Sequence, residues 1–463
     1  MRNRKIAYAL TAVCVWILIW QLLAMKIDKT IFLPTPLEVC EALKKMAFTT
    51  MFYKSIVYSL WNIVKGFTFA VLAGIILAVI ASRSLFLKSL FNLPIKVIRA
   101  IPVASFTILA LFWLESSDLS VLISFFMVLP IMYTNVLAGI EHIDKELLEV
   151  SKVFRFKFGT TCRFVYVPEI LPYFVSAVSV GTGLAWKSGI AAEVIGIVGD
   201  SIGNNLYQSK LYLEMPELFA WTIVIICISA VFERINLLVI SFMEWMLLRS
   251  KYMTLKPGAK RILAEENKEV LSLKGIFKNY GDHKICEDFD MELTDGTAVA
   301  LMGHSGIGKT TIARIMLGLE RPDKGFVTTV NKVAVVFQED RVFKQFSVAA
   351  NLAMVCSEYE QIHRISEVLR ALGLEGTENR KVDELSGGMK RRVAIARALI
   401  AEAEMLILDE PLKGLDEDTK LSVMKYIKEC FTDKKVLYIT HEEDEAIYFE
   451  CEIKYMTKIH KRG

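Results

Sequence analysis

The sequence predicts an α-helical transmembrane region of six spans followed by a soluble α/β domain of the P-loop nucleotide-binding type. Three observations carry this reading. Long apolar stretches are confined to residues 1–248. From residue 269 onward, short apolar runs alternate with helical patterns and charges recur every few positions, as in a domain built on a parallel sheet. A glycine-rich loop lies between an apolar strand and a helix over residues 303–310. The organisation that follows is a membrane domain over 1–248, a polar linker over 249–268 and a second domain over 269–463. A chain of 463 residues exceeds one ordinary domain, and the apolar excess in its 54% hydrophobic content comes from the first half.

The membrane half is read from stretches long enough to cross a bilayer, at roughly 6–25, 56–81, 92–114, 119–140, 172–199 and 217–240. Arg2, Arg4 and Lys5 precede the first stretch, which is too long for a cleaved leader and lacks a small-residue cleavage pattern, so it is taken as a retained span. Arg83 and Lys88 follow the second span, Lys145, Lys152, Arg155, Lys157 and Arg163 the fourth, and Arg249 and Lys251 the sixth. Basic loops stay on the cytoplasmic side, which places both termini there, in the cell membrane. A net charge of +4, dispersed and clustered mainly beside apolar spans, gives no ground for a nucleic-acid partner and makes the lipid bilayer the partner of this half. Eight cysteines without paired spacing argue against a zinc site or a disulfide framework.

Several spans contain Pro or Gly (Pro94, Pro102, Pro130, Gly181, Gly183, Gly189), tolerated where broken helix backbone lines a cavity or packs on protein. Lys187 and Glu193 fall within the fifth span. A charge at mid-membrane costs about 2.5–3.5 kcal/mol, so these two either face a translocation path or lie near an interface. The loop after the fourth span carries Glu149-Val150-Ser151 and then Val165-Tyr166-Val167-Pro168 on a basic amphipathic segment, with Phe154, Phe158 and Phe164 as apolar anchors for a groove on the second domain. This spacing resembles the "EAA" loop of binding-protein-dependent ABC importer permeases, with Arg155 where that family usually has Gly and Ser151 and Val167 where Ala and Leu are commoner. Leu33-Pro34-Thr35-Pro36 and the run Ala185 to Glu193 further resemble the nitrate, sulfonate and taurine branch of such importers, over residues 30–240. That resemblance implies a small anion or a small heterocycle as the solute.

In the second half, strand Ala298–Met302 runs into Gly303-His304-Ser305-Gly306-Ile307-Gly308-Lys309-Thr310, followed by Thr311. Glycines let backbone N–H groups wrap phosphates, the helix N-terminus favours negative charge, Lys309 contacts the β- and γ-phosphates of ATP, and the Thr310 hydroxyl ligates Mg²⁺. Met405-Leu406-Ile407-Leu408 ends in Asp409-Glu410, which places Asp409 near the metal and Glu410 to polarise the attacking water. With Leu385-Ser386-Gly387-Gly388-Met389 between these motifs, residues 270–450 resemble the ABC ATPase family, Met389 standing for its usual Gln. The resemblance implies that Ser386, Gly387 and Gly388 reach the γ-phosphate of nucleotide on the opposite subunit. It further implies that Tyr280 stacks on adenine, Gln338 senses metal and water, Asp416 lies on the loop crossing the dimer seam, and His441 touches the γ-phosphate.

The expectation is therefore an ATP- and Mg²⁺-dependent importer half that pairs with a second copy of itself, or with a related half-transporter, and is fed by an extracytoplasmic substrate-binding protein. Some twenty residues follow His441, too few for an added regulatory domain. Two rivals stay open. An exporter would fuse its domains in this way but carries long cytosolic helix extensions, whereas loops here are mostly short. An ATP-driven signalling complex that moves nothing would differ by showing no flux.

Overall fold

A computed structural model describes residues 2–27, 29–248, 256–260, 270–281, 283–328, 330 and 332–456. The expected linker over 249–268 lies outside the described residues except for 256–260. The chain divides into two compact units, one comprising Met1–His142 with Glu169–Met243 and the other Ile143–Pro168 with Glu244–Gly463.

The first unit is helical: α1 (Arg2–Ile27), α2 (Pro36–Ala47), α3 (Thr50–Ala81), α4 (Leu85–Ala100), α5 (Val103–Ala110) and α6 (Leu119–Glu141). After the loop segment of the second unit come α9 (Val167–Gly196), α10 (Ile202–Leu211) and α11 (Met215–Leu248), the labels α7 and α8 belonging to that loop at Lys145–Val153 and Phe158–Thr161. Among the described residues, four helical stretches are long and apolar enough to cross a membrane: Thr50–Ala81, Ser116–Glu141, Phe158–Gly196 and Met215–Met246. The third expected span is not one rod. It is α4 and α5, bent by 101° where Ile101 turns extended ahead of Pro102, whose ring disfavours helical backbone before it. In α1, the apolar stretch Thr11–Ile27 is shorter than the four long helices.

Packing of α3 on α6 explains the spacing of small residues in α3. Ser59, Gly66, Ala70, Gly74 and Ala78 recur along one buried stripe. A Cβ on Gly66 would meet Val121 O at 2.3 Å, and one on Gly74 would meet Met132 Cβ at 2.6 Å, so the two backbones approach where only glycine fits. In a bilayer, where lipid is as apolar as leucine, this close approach is what holds helices together. Glu193 of α9 is fully buried and accepts from Ser59 Oγ of α3 (2.7 Å) and from the Gly203 amide of α10 (3.2 Å), so it locks three helices. Lys187 is exposed on the single chain. Of the two charges read in the fifth span, one is thus a buried tie and the other lies at the surface of the isolated unit.

The second unit is built on a five-stranded parallel sheet in the order β5-β6-β7-β3-β8, from β3 (Ala298–Met302), β5 (Val333–Val336), β6 (Met405–Asp409), β7 (Lys435–Ile439) and β8 (Glu452–Tyr455). Strands β6 and β7 are buried along their whole length, which is why they read as continuous apolar runs. A three-stranded antiparallel sheet pairs β1 (Val270–Tyr280) with β2 (His283–Thr294) and β4 (Lys324–Thr328). Helix α12 (Lys309–Met316) follows β3, and α13 (Val348–Ala353), α14 (Tyr359–His363), α15 (Ile365–Ala371) and α16 (Gly387–Ile400) lie between β5 and β6. Helices α17 (Glu417–Glu429) and α18 (Glu443–Tyr448) flank β7 in sequence.

Candidate functional site

The chemistry-bearing residues of the second unit gather at the carboxyl ends of parallel strands, where open α/β sheets form their binding crevice. The loop Gly303–Gly308 leaves β3 and opens α12. Gly303, Gly306 and Gly308 have φ of +148°, +79° and +112°, and a Cβ on Gly308 would sit 2.3 Å from Ile285 Cγ2, so this loop is closed to side chains at that point. His304 and Ser305 are exposed, Ile307 half-buried. Lys309 curls back over the loop, donating to Gly303 O (2.7 Å) and His304 O (3.2 Å). Burial holds its ammonium below its ordinary range, against the opposing pull of Glu410 and Asp409.

Thr310 Oγ1 donates to Asp409 Oδ2 at 3.0 Å, with Thr311 next on α12. Asp409 ends β6 almost fully buried, and burial with the neighbouring Glu410 charge pushes its carboxyl up to about 6. Glu410 follows with φ +47°, an unusual backbone for a non-glycine residue. Its Oε1 lies 2.9 Å from His441 Nε2, and its Oε2 accepts from Lys413 Nζ (3.1 Å) and Gln338 Nε2 (3.4 Å). Burial would raise the Glu410 carboxyl, but Lys413, through its hydrogen bond and charge, and then His441, hold it below the usual carboxylate range. His441 Nε2 is also 3.4 Å from Lys309 Nζ. The P-loop lysine, both carboxylates, Gln338 and His441 thus form one polar cluster.

Other expected site residues stand apart. Ser386 caps α16, its Oγ accepting from the Met389 amide at 3.4 Å; Ser386 and Gly387 are exposed, Gly388 is half-buried, and a Cβ on Gly388 would lie 3.6 Å from Gly414 O. Asp416 caps α17 through Thr419 N (3.1 Å). Among the described residues, no hydrogen bond joins Ser386, Gly387, Gly388 or Asp416 to the P-loop cluster. The Tyr280 ring is exposed, and its hydroxyl donates to Glu320.

Sequence reasoning passed over Arg391. In α16 it is 3% exposed, and its guanidinium donates to the carbonyl oxygens of Phe337 (2.6 Å), Gln338 (3.2 Å), Asp409 (2.9 Å), Glu410 (2.6 Å) and Pro411 (2.8 Å). A cation set between Lys390 and Arg392 reads as part of a solvated face, and nothing local in sequence marks it as buried. Lys413, unexplained by sequence, is the cation on Glu410.

The loop segment Ile143–Pro168 packs within the same unit. Glu149 of α7 receives both terminal nitrogens of Arg314 (2.9 and 2.7 Å) and Arg341 Nη1 (2.7 Å), a bidentate pair plus one. Arg314 lies on α12 behind Lys309, and Arg341 three residues beyond Gln338. Phe154 lies under Arg397, and the Phe164 ring packs at a tilt of 56° against Phe346, with centroids 4.5 Å apart. Phe158, expected as an anchor, is 81% exposed; Phe156 is buried in its stead, 6.0 Å from Phe343. Beyond the end of α7, Arg155 takes a left-handed backbone with φ +50°, which carries Phe156 into an extended bridge with Ala259, whereas Phe158 already opens the short helix α8 and turns outward. The same left-handed backbone accounts for the Gly common at that position in the resembled family.

A model of the family described as "ABC transporter" matches residues 286–413, and one described as "Binding-protein-dependent transport system inner membrane component" matches residues 70–248. Among curated relatives, the Fe(3+) ions import ATP-binding protein FbpC of Mannheimia succiniciproducens is 35% identical over 214 residues, covering 42% of this chain and 61% of that protein. The Fe(3+) ions import ATP-binding protein FbpC 1 of Haemophilus influenzae is 34% identical over 210 residues, covering 42% and 64%. The chain thus spans somewhat less than two thirds of the length of these relatives. Among solved structures, a dimeric bacterial ABC transporter cassette is 28% identical, covering 40% of this chain and 94% of that one at a TM-score of 0.37. A post-hydrolysis cassette dimer bound to ADP and Pi is 27% identical over the same shares, also at 0.37. By the two family matches, the chain joins a permease domain of the binding-protein-dependent kind to an ATPase domain of the ABC transporter kind.

Proposed function

We propose that this chain is half of an ATP-driven importer of the cell membrane, with both termini cytoplasmic, acting as a pair of chains and receiving a small solute from an extracytoplasmic binding protein. The observation that carries the reading is the grip on Glu149. A loop of the importer type is held by arginines on the two elements, α12 and the segment after β5, that also carry Lys309 and Gln338. A shift of either element during ATP turnover is felt at that carboxylate.

Gly303, His304, Ser305, Gly306, Ile307, Gly308, Lys309, Thr310 and Thr311 form the phosphate cradle, and Tyr280 is the adenine platform. Glu410 takes the proton of the attacking water, His441 bridges it to the γ-phosphate, and Gln338 orients the water. Among the described residues no three His, Cys, Asp or Glu side chains converge on a metal position. The hard oxygens of Thr310 and Asp409, already 3.0 Å apart, together with the Gln338 side chain, would hold Mg²⁺. When bound, Mg²⁺ supplies charge neutralisation at the phosphates. Ser386, Gly387 and Asp416, which are exposed, and the half-buried Gly388 serve the partner's nucleotide.

The solute is proposed from the permease half, since the membrane domain selects what crosses: a nitrate-, sulfonate- or taurine-like anion or small heterocycle. The curated relatives named above are Fe(3+) import proteins, and Fe(3+) is the alternative solute. The test is ATP hydrolysis in lipid nanodiscs with candidate binding proteins of the same cell, each loaded with taurine, nitrate or Fe(3+). Strong stimulation by one loaded protein supports import and names the solute class; a high basal rate indifferent to all of them overturns it.

A further inference from the structure

The linker over 249–268 lies between the two family matches, and its described part, Lys256 to Lys260, is not a slack connection. Phe156 and Ala259 form an antiparallel bridge, in which the Lys157 amide donates to Gly258 O (2.9 Å) and the Lys260 amide to Arg155 O (3.0 Å). Thr160 Oγ1 adds a second bond to Gly258 O (3.0 Å), and Lys157 Nζ reaches Pro257 O (3.0 Å). On its other side the linker donates to the ATPase: Gly258 N to Ala353 O (3.3 Å) and Ala259 N to Cys356 O (3.0 Å). Ala259 is buried, and a Cβ on Gly258 would lie 2.5 Å from Met354 O, a backbone atom that cannot yield.

Resting on the importer reading above, we propose that residues 256–260 are a clip of the coupling joint: an extended segment sandwiched between the loop and the ATPase that keeps each loop seated on the ATPase of its own polypeptide. Two chemistries support this. Peptide groups on both edges of the segment are paired, as in a strand added between two others. The left-handed turn at Arg155, disfavoured for an arginine, presents the carbonyl that the Lys260 amide uses. In a pair of chains, a loop without such a clip is free to exchange between two equivalent ATPases; with it, the pairing is fixed in cis.

The test is hydrogen exchange on the full chain in nanodiscs, with and without Mg-ATP, for the unaltered protein, Gly258→Ala and Ala259→Pro. In the unaltered chain the amides of Lys157, Ala259 and Lys260 exchange slowly. In both variants exchange across Lys145–Val153 rises about tenfold, as local opening predicts, while β6 and β7 and the ATP-dependent protection of the P-loop stay unchanged. Should either variant fail to fold, Thr160→Val removes one bond to Gly258 O and gives the same effect at smaller amplitude. Fast exchange at the three amides, or loop exchange unmoved by the variants, overturns the clip. A hydrolysis rate indifferent to every binding protein would instead overturn the import reading while leaving this exchange result standing.

Discussion

Glu410 sits in strained backbone, and the strain is held from both sides: its amide donates to Ile439 O at 2.9 Å and its carbonyl accepts from Arg391 at 2.6 Å. With its carboxyl below the usual range, it is ionised at neutral pH and able to accept a proton. Glu410→Gln keeps the shape and removes the base, so turnover falls by about 10²–10⁴-fold while ATP binding persists; near-normal turnover with ATP would assign proton transfer elsewhere. Glu149 is the second residue whose charge state matters. Burial would raise its carboxyl, but the hydrogen bonds and charges of Arg314 and Arg341 bring it below the ordinary value. A lowered carboxylate contributes its stabilisation above the unfolded value and loses it as pH falls through the folded one, so the grip persists at neutral pH and weakens only in acid. Glu149→Ala leaves two arginines without their shared acceptor, a loss of about 2 kcal/mol. Its expected signature is basal hydrolysis kept and stimulation by binding protein lost, measured in parallel assays; retained stimulation would remove Glu149 from coupling.

At the scale of elements, what was legible in sequence and what was not divide by cause. The P-loop and the Asp409-Glu410 strand end could be read because wrapping a phosphate demands glycine backbone and a fixed Lys-Thr offset, which leave a local pattern. Strands β6 and β7 showed as apolar runs because both faces are covered. The bend between α4 and α5 was hidden, since hydropathy is blind to direction and only Pro102 marks the break. Phe158 was read as an anchor and Phe156 passed over because the direction of the loop changes at Arg155, whose left-handed backbone an arginine does not advertise. Arg391 was missed because its partners are carbonyl oxygens from distant segments. Tertiary packing also gives the glycines of α3 their meaning. Gly74→Val forces a branched side chain against Met132 Cβ, which a Cβ there would meet at 2.6 Å, and Tyr133 N, at 3.1 Å, and should cost about 1–3 kcal/mol. The readout is a lower unfolding temperature in detergent. An unchanged midpoint would mean that α3 and α6 can part without penalty.

For the whole molecule, the placement of Ser386, Gly387 and Gly388 away from the P-loop cluster of the same chain poses a question that only two chains can answer. If the signature completes the partner's site, each chain contributes half of two sites, and lesions can be sorted by mixing. Lys309→Ala removes the phosphate lysine and Ser386→Arg blocks the signature, so each variant alone forms pairs with two defective sites. A mixed pair carries both lesions in one site and none in the other. Co-expression with separate affinity tags isolates that species, which should hydrolyse ATP although neither parent does. Random pairing makes half of the dimers mixed, each with one intact site, so the unsorted mixture should hold about a quarter of the native complement of sites. Sites completed within a single chain predict the opposite: every subunit stays defective and mixing restores nothing. Recovery in the mixed pair would also require that the chain pairs with itself, and a silent mixture from two folded, ATP-binding parents would direct the search to a different half-transporter as partner.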